Sequence, residues 1–124
     1  MDDLTGGCLC GAVRYRARGE PKWVAYCHCE SCRRATGAPV TAYAGFEREN
    51  VEWQAGEPAS FASSEGVRRG FCARCGTPLT YEGARWPTEV HLHLGTLDHP
   101  ELVRPTGQAF AEERLPWLHL TDLP

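Results

Sequence analysis

Most of the patterned segments along the chain read as short strands, and the clearest alternate polar and apolar positions with the period of two that belongs to half-buried strands. In residues 13–18 the alternation is strict: Val13, Tyr15 and Ala17 point to one side, Arg14, Arg16 and Arg18 to the other. Residues 22–26 predict a second strand running into Cys27. Residues 39–46 are rich in Val, Thr, Tyr and Phe character, and 51–54 follow after a polar break. Beyond a turn at Gly56-Glu57-Pro58, further strands are predicted over 59–62, over 67–71 leading into Cys72, over 77–81 leading away from Cys75, and over 89–94. One short helix is predicted over 30–36, with Gly37 as its stop and Pro39 beyond. Residues 115–120, apolar around Pro116 and Trp117, predict a C-terminal clasp. Many short strands between Gly/Pro turns predict an all-β fold, sandwich- or barrel-like, in one domain over residues 1–124.

Composition narrows the class. The 124 residues are 42% hydrophobic and 23% charged, which suits a packed core rather than disorder. No apolar run reaches the roughly 18 residues of a membrane span. The acidic start, Met1-Asp2-Asp3, has no apolar stretch, which predicts no signal peptide and a cytoplasmic protein. A formal charge of −3 without a basic, aromatic-interleaved face argues against nucleic-acid binding.

The seven cysteines carry the chemistry. An odd number excludes a fully paired disulfide framework, and without an export signal metal binding or catalysis is the better reading. Cys72-Ala73-Arg74-Cys75-Gly76 has the spacing of a zinc knuckle, and Cys8-Leu9-Cys10-Gly11 is the available second pair, with a glycine again following. Cys8, Cys10, Cys72 and Cys75 together predict a closed, structural four-thiolate zinc site.

Cys27-His28-Cys29-Glu30-Ser31-Cys32 supplies three more thiolates and no fourth. Three ligands and one open position are the arrangement of a reactive zinc. His28, between two ligands on an extended segment, is expected to point away from the metal, either behind the ligands or exposed. The alternative is a second closed site completed by His91 or His93, which share one face of a strand that otherwise shows solvent or a cleft its polar side. Arg33 and Arg34 follow the third ligand, as candidates to lower thiol pKa values and to hold a substrate carboxylate, or as ordinary surface charges. Trp23, Trp53, Trp86 and Trp117 are expected in the core or in cleft walls.

Three runs carry a family resemblance: Gly7-Cys8-Leu9-Cys10-Gly11-Ala12-Val13-Arg14-Tyr15, the stretch from Cys27 to Pro39, and the stretch from Arg69 to Tyr81. With Gly95-Thr96-Leu97-Asp98, Leu115-Pro116-Trp117 and the end Asp122-Leu123-Pro124, the chain resembles the glutathione-dependent formaldehyde-activating enzyme family, also called the centromere protein V family. The resemblance implies a β-tent fold, several coiled antiparallel sheets built around the four-cysteine zinc, shared with a Rab-GTPase-binding zinc protein and methionine sulfoxide reductase B. It implies the same division of metals as the spacing does. It also implies two zinc ions, a small thiol such as glutathione and an aldehyde as reactants, and carbon–sulfur lyase activity of the S-(hydroxymethyl)glutathione synthase type. Gln108 departs from the pattern, standing where relatives commonly carry a histidine; Gln cannot act as acid or base.

Two other functions compete with the lyase. A non-enzymatic zinc-binding interaction module would use the same two metals, both inert. A redox enzyme of this fold would need a free cysteine, whereas all seven are allocated to metal.

Overall fold

The structure is a computed structural model that describes residues 2–121. Among the described residues, ten strands fall into two sheets. The smaller joins β1 (Leu4–Gly7), β2 (Arg14–Ala17) and β5 (Val51–Ala55) in antiparallel pairs, in the order β1-β2-β5. The larger contains β3 (Trp23–Cys27), β4 (Thr41–Glu47), β6 (Ala59–Ser64), β7 (Val67–Phe71), β8 (Pro78–Gly83), β9 (Glu89–His93) and β10 (Gly107–Ala109). Its order is β10-β3-β4-β9-β8-β7-β6, antiparallel throughout except for the parallel pair β10–β3. The fold is thus mostly β, as expected, with α1 (Glu30–Thr36) as its single α-helix among the described residues.

The core lies between the two sheets. Val13, Tyr15 and Ala17 turn inward from the first sheet to meet Ala44, Phe46, Leu79, Leu92 and Leu94. Tyr15 is fully buried, so its phenol needs a partner. It donates to Thr96 Oγ1 at 2.7 Å, and that hydroxyl donates on to the His93 carbonyl at 2.7 Å. Two of the four cysteines in the sulfur cluster at this end, Cys8 and Cys72, belong to the same core.

The opposite face of the larger sheet carries the rings. One transverse row crosses five strands in register: Trp23 faces Gly45, Gly45 faces His91, His91 faces Tyr81, and Tyr81 faces Arg69. A Cβ on Gly45 would sit 2.3 Å from the Trp23 ring. Glycine there lets the indole lie across β4 and reach His91, with centroids 4.5 Å apart and rings at 82°.

One expectation needs correction. The segment 115–120 does not clasp the core: a turn closed by Leu118 N–H on the Leu115 carbonyl leaves Trp117 66% exposed, and Leu115, Leu118 and Leu120 are only half-buried. Asp122, Leu123 and Pro124 lie outside the described residues. The strands β1 and β10 were not legible, the first because Gly6-Gly7 lacks any strand pattern and the second because it is three residues long. No helix among the described residues is long and apolar enough to cross a membrane.

Candidate metal centres and cavity

The seven cysteines form no disulfide and gather into two clusters, Cys8/Cys10/Cys72/Cys75 and Cys27/Cys29/Cys32, with the sulfurs of each within 4.8 Å of one another. Two knuckles of like design build the first. In one, Cys8 N–H bonds the Val13 carbonyl and Gly11 N–H the Cys8 carbonyl; in the other, Cys72 N–H bonds the Thr77 carbonyl and Gly76 N–H the Cys72 carbonyl. Gly11 and Gly76 leave these turns at φ 81° and 82°, a conformation that strains any residue with a Cβ. Backbone N–H groups then point at the sulfurs: Val13 at Cys8, 3.2 Å, and Arg74 and Cys75 at Cys72, both 3.4 Å. The Thr77 hydroxyl accepts from Leu9 N–H and donates to Cys75 Sγ at 3.1 Å; with the Thr77 backbone N–H it pulls the Cys75 thiol down to about 5.

The sulfur spacing tests the fit to a metal. A tetrahedral ion with bonds of about 2.3 Å holds its sulfurs about 3.8 Å apart, the geometry of zinc thiolate sites. Cys8 and Cys10 are 3.7 Å apart, Cys10 and Cys72 3.8 Å, and in the second cluster Cys27 and Cys32 are 3.7 Å apart. Both clusters therefore have the donor set and separation to hold a metal ion of this kind.

The second cluster sits where β3 passes into α1. Cys27 ends the strand and Cys29 caps the helix, its sulfur accepting from Cys32 N–H at 3.3 Å. Gly37, at φ 71°, closes the helix with its N–H on the Arg33 carbonyl, as the sequence predicts. Cys32 is the most strongly held sulfur. Tyr43 Oη donates to it at 3.3 Å, and both terminal nitrogens of Arg69 point at it from 3.6 and 3.7 Å. The hydrogen bond from Cys27, with those from Tyr43 and Arg69 behind it, overcomes burial and draws the Cys32 thiol down to about 4. The same shared contact and burial push Cys27 up.

Arg69 was not singled out by sequence reasoning. It is only 6% exposed, its Nε donates to Ser63 Oγ at 3.0 Å, and its guanidinium lies 5.1 Å from the Tyr81 ring centre. The signal that could have found it is the alternation of β7, which puts Arg69 and Val67 on one face and exposed Arg68 on the other. Arg33 and Arg34 do not line the cavity described next. Arg34 points outward, 74% exposed, and pairs with Glu30 at 2.8 Å one helical turn back; Arg33 is half-buried beside the helix.

A cavity of about 430 Å3 opens over Cys27, Cys29 and Cys32. Trp23, Tyr43, Tyr81, Trp86 and His91 wall it, with Phe110, Glu30 and Glu113 also lining it. The polar face of β9 therefore meets a cleft rather than solvent. His91 is stacked on Tyr81 at 5.5 Å and 17°, with Trp86 edge-on at 5.2 Å. Its Nε2 meets Glu89 Oε1 at 2.9 Å, and Glu89 in turn accepts from Trp23 Nε1 and pairs with Lys22. Burial lowers the pKa of His91 against the pull of Glu89. Neither His91 nor His93 belongs to a metal-ligand cluster.

His28 points away from the cluster, but into the protein rather than to solvent: it is 1% exposed, with Nε2 2.7 Å from Gln108 Oε1. Gln108 thus takes a tying role. With His28 N–H on the Ala109 carbonyl and Glu30 N–H on Glu113 Oε1, it fastens β10 and the turn after it to the cysteine loop.

A model of the glutathione-dependent formaldehyde-activating enzyme family matches residues 3–113. The chain belongs to this family. It is 33% identical over 81 residues to an uncharacterized lyase of Schizosaccharomyces pombe, a match spanning 65% of this chain and 58% of the yeast protein's length. It is 30% identical over 131 aligned positions to a Halomonas elongata protein named for glutathione-dependent formaldehyde activation, spanning 94% of this chain and 80% of that one. Among solved structures, a Rhodobacter sphaeroides protein superposes with a TM-score of 0.64 at 20% identity, covering 85% of this chain and 99% of the other. That likeness supports the fold. Within the formaldehyde-activating family match, both cysteine clusters and the row from Trp23 to Arg69 fall inside the matched residues.

Proposed function

We propose that the chain is a zinc-dependent carbon–sulfur lyase, joining a small thiol to an aldehyde and, in reverse, splitting the adduct, a reaction of the S-(hydroxymethyl)glutathione synthase type. One observation carries this reading: three clustered thiols, one of them (Cys32) held by a buried guanidinium, open onto a ring-walled cavity, while the other four cysteines form a separate, self-sufficient cluster. The family and the names of the two relatives, one a lyase and one linked to formaldehyde and glutathione, support it.

Cys27, Cys29 and Cys32 would hold the second zinc, Cys8, Cys10, Cys72 and Cys75 the structural one. Zinc at the three-cysteine site would supply an open position that favours the thiolate form of an incoming thiol. The chain's residues do the rest. Tyr43 and Arg69 keep Cys32 anionic, and the Arg69 charge offsets the repulsion a further thiolate meets. The ring wall excludes water and holds thiol and aldehyde side by side, so that addition becomes effectively intramolecular. His91, kept neutral by burial and steadied by Glu89 at Nε2, has no protein partner at Nδ1 among the described residues. It takes the thiol proton and returns it to the carbonyl oxygen as the carbon–sulfur bond forms.

The test is metal analysis together with exchange NMR of thiol–formaldehyde mixtures, using glutathione and benzyl mercaptan as separate thiols. Two zinc ions per chain and faster adduct exchange, lost in Cys29→Ser, are expected. Uncatalysed exchange rates with both thiols would overturn the lyase.

A further inference from the structure

We infer that the thiol taken by this cavity carries an uncharged, apolar or aromatic substituent, and that free glutathione fits it poorly. The inference rests on the lyase reading and names its substrate class. It is drawn from the charges and surfaces that line the site.

Glutathione brings two carboxylates and an ammonium. A site built for it needs free cations, preferably guanidinium forks that grip a carboxylate with two hydrogen bonds. Arg69 is the one Lys or Arg lining the cavity among the described residues, and it is fully engaged. Its Nε is used by Ser63, both terminal nitrogens face Cys32, and its flat face lies against Tyr81. Turning it toward a substrate carboxylate would strip the charge from Cys32. Arg34, which does not line the cavity, is committed to Glu30.

The acidic residues at the cavity have the wrong sign for the two carboxylates of glutathione as well. Glu30 and Glu113 both line it, tied together by the Glu30 N–H bond to Glu113 Oε1. Glu30 is offset by Arg34, so the like charge a carboxylate meets while losing its water is that of Glu113, and no Lys or Arg that lines the cavity is free to pair with it.

The remaining surface is aromatic. Trp23, Tyr26, Tyr81, Trp86 and Phe110 all contribute to the wall. The space of about 430 Å3 is far more than formaldehyde needs, since a water-sized molecule takes about 30 Å3. Phe110 adds an independent observation. It is the only non-glycine residue with positive φ among the described residues, at 54°, and its ring is 43% exposed. The left-handed conformation is strained for a bulky side chain and persists where the surroundings enforce it. Here the flanking bonds enforce it: the Ala109 carbonyl is held by His28 N–H and the Phe110 carbonyl by Glu113 N–H. The strain presents an apolar ring at the mouth, where the fold has no use for it. An aromatic substituent would bury that ring and pack edge-on or offset against the others.

The reaction itself is unaltered. The carbon–sulfur bond forms as the C=O π bond breaks, and the thiol proton ends on the carbonyl oxygen, with no oxidant or reductant required.

The test is isothermal titration of the zinc-loaded chain with glutathione, glutathione diethyl ester and benzyl mercaptan. The first two differ only in the masked carboxylates. The ester and benzyl mercaptan are expected to bind about tenfold or more tightly than glutathione, and Phe110→Ala, which removes an exposed ring, is expected to cut the benzyl mercaptan preference severalfold. Glutathione binding as tightly as its ester, or a preference indifferent to Phe110→Ala, overturns the inference. If binding follows the expected order but none of the adducts is split, the lyase reading fails instead.

Discussion

Trp23 touches His91 although a whole strand runs between theirs. The indole lies across Gly45 and meets the imidazole at 4.5 Å, while its Nε1 and the His91 Nε2 share the same oxygen of Glu89. From His91 the row continues through Tyr81 to Arg69, whose guanidinium ends on Cys32. Cavity wall and thiol cluster are therefore one packed unit, and a change at one end of the row is felt at the other.

Gly45→Ala tests this coupling. The new Cβ would overlap the Trp23 ring at 2.3 Å, so either the indole or β4 must move. Overpacking of this kind costs about 1–3 kcal/mol. A lower denaturation midpoint and a red-shifted tryptophan emission are expected, as Trp23 loses its cover. Unchanged stability and emission would mean that the wall has more slack than the contacts imply.

The two sulfur clusters should respond differently to loss of a ligand. Cys72 is buried in the main core, and its cluster joins the N-terminal knuckle to a turn more than sixty positions away. A structural zinc contributes on the order of 10 kcal/mol to folding, so Cys72→Ser should leave the chain largely unfolded. Cys29 is a half-buried helix cap. Serine is also a good cap, and Cys29→Ser should cost about 1 kcal/mol or less. Thermal melts of both variants decide it; equal losses would remove the distinction between a structural and a working site.

What the sequence made legible follows from local rules. The helix over Glu30–Thr36 was readable because Gly37 supplies a left-handed stop, and β2 because its alternation is unbroken. The Cys27–Cys32 grouping was readable because its spacing is short-range, and the four-cysteine one because both close pairs are followed by a matching glycine, Gly11 and Gly76, which marks them as partners. What could not be read depends on register. Arg68 and Arg69 look alike as letters, and only the pairing of β7 with β8 sets Arg69 against Tyr81 and over the thiols. Gly6 in β1 is explained by close approach, since a Cβ there would meet the Thr96 carbonyl at 2.4 Å. Gln108 gained its partner from a three-residue parallel strand that carries no hydrophobic pattern at all.

His93 should make stability depend on pH. Its ring packs against Tyr43 at 4.5 Å, and burial, with the nearby Arg69 charge, lowers its pKa to about 4. An unfolded histidine titrates near 6.5. Between these values the unfolded chain takes up a proton that the folded one refuses. This contribution is therefore complete above about pH 6.5 and is lost as the pH falls toward 4, the loss amounting to about 2 kcal/mol at pH 5. Protonation of the thiols adds its own acid sensitivity, so the informative quantity is the difference between the wild type and His93→Gln in urea melts. That difference should shift in favour of the variant by about 2 kcal/mol from pH 7 to pH 5. A difference that does not vary with pH would show that His93 is protonated as easily folded as unfolded.

Arg69 and the helix arginines can be separated by their effect on the second cluster. Three thiolates around a divalent ion carry a net charge of −1, and an incoming thiolate makes it −2, so a nearby cation decides whether that ligand is accepted. Arg69 is buried and aimed at Cys32, and water cannot replace it there. A hydrogen bond to a charged group contributes about 1.5–3 kcal/mol, so Arg69→Gln should weaken binding of a small uncharged-bodied thiol, 2-mercaptoethanol, by about tenfold to a hundredfold. Loaded with zinc, the same variant should lose metal from the three-cysteine cluster to a chelator sooner than the wild type does. Arg33→Ala/Arg34→Ala removes two charges that are outside the cavity, and thiol affinity should stay within about twofold, since exposed ion pairs such as Arg34–Glu30 contribute little. Calorimetry and chelator competition on the three proteins give the answer. If the double variant loses affinity and Arg69→Gln does not, the cation that serves the thiols is on the helix, and the row from Trp23 to Arg69 is a wall without an electrostatic part in binding.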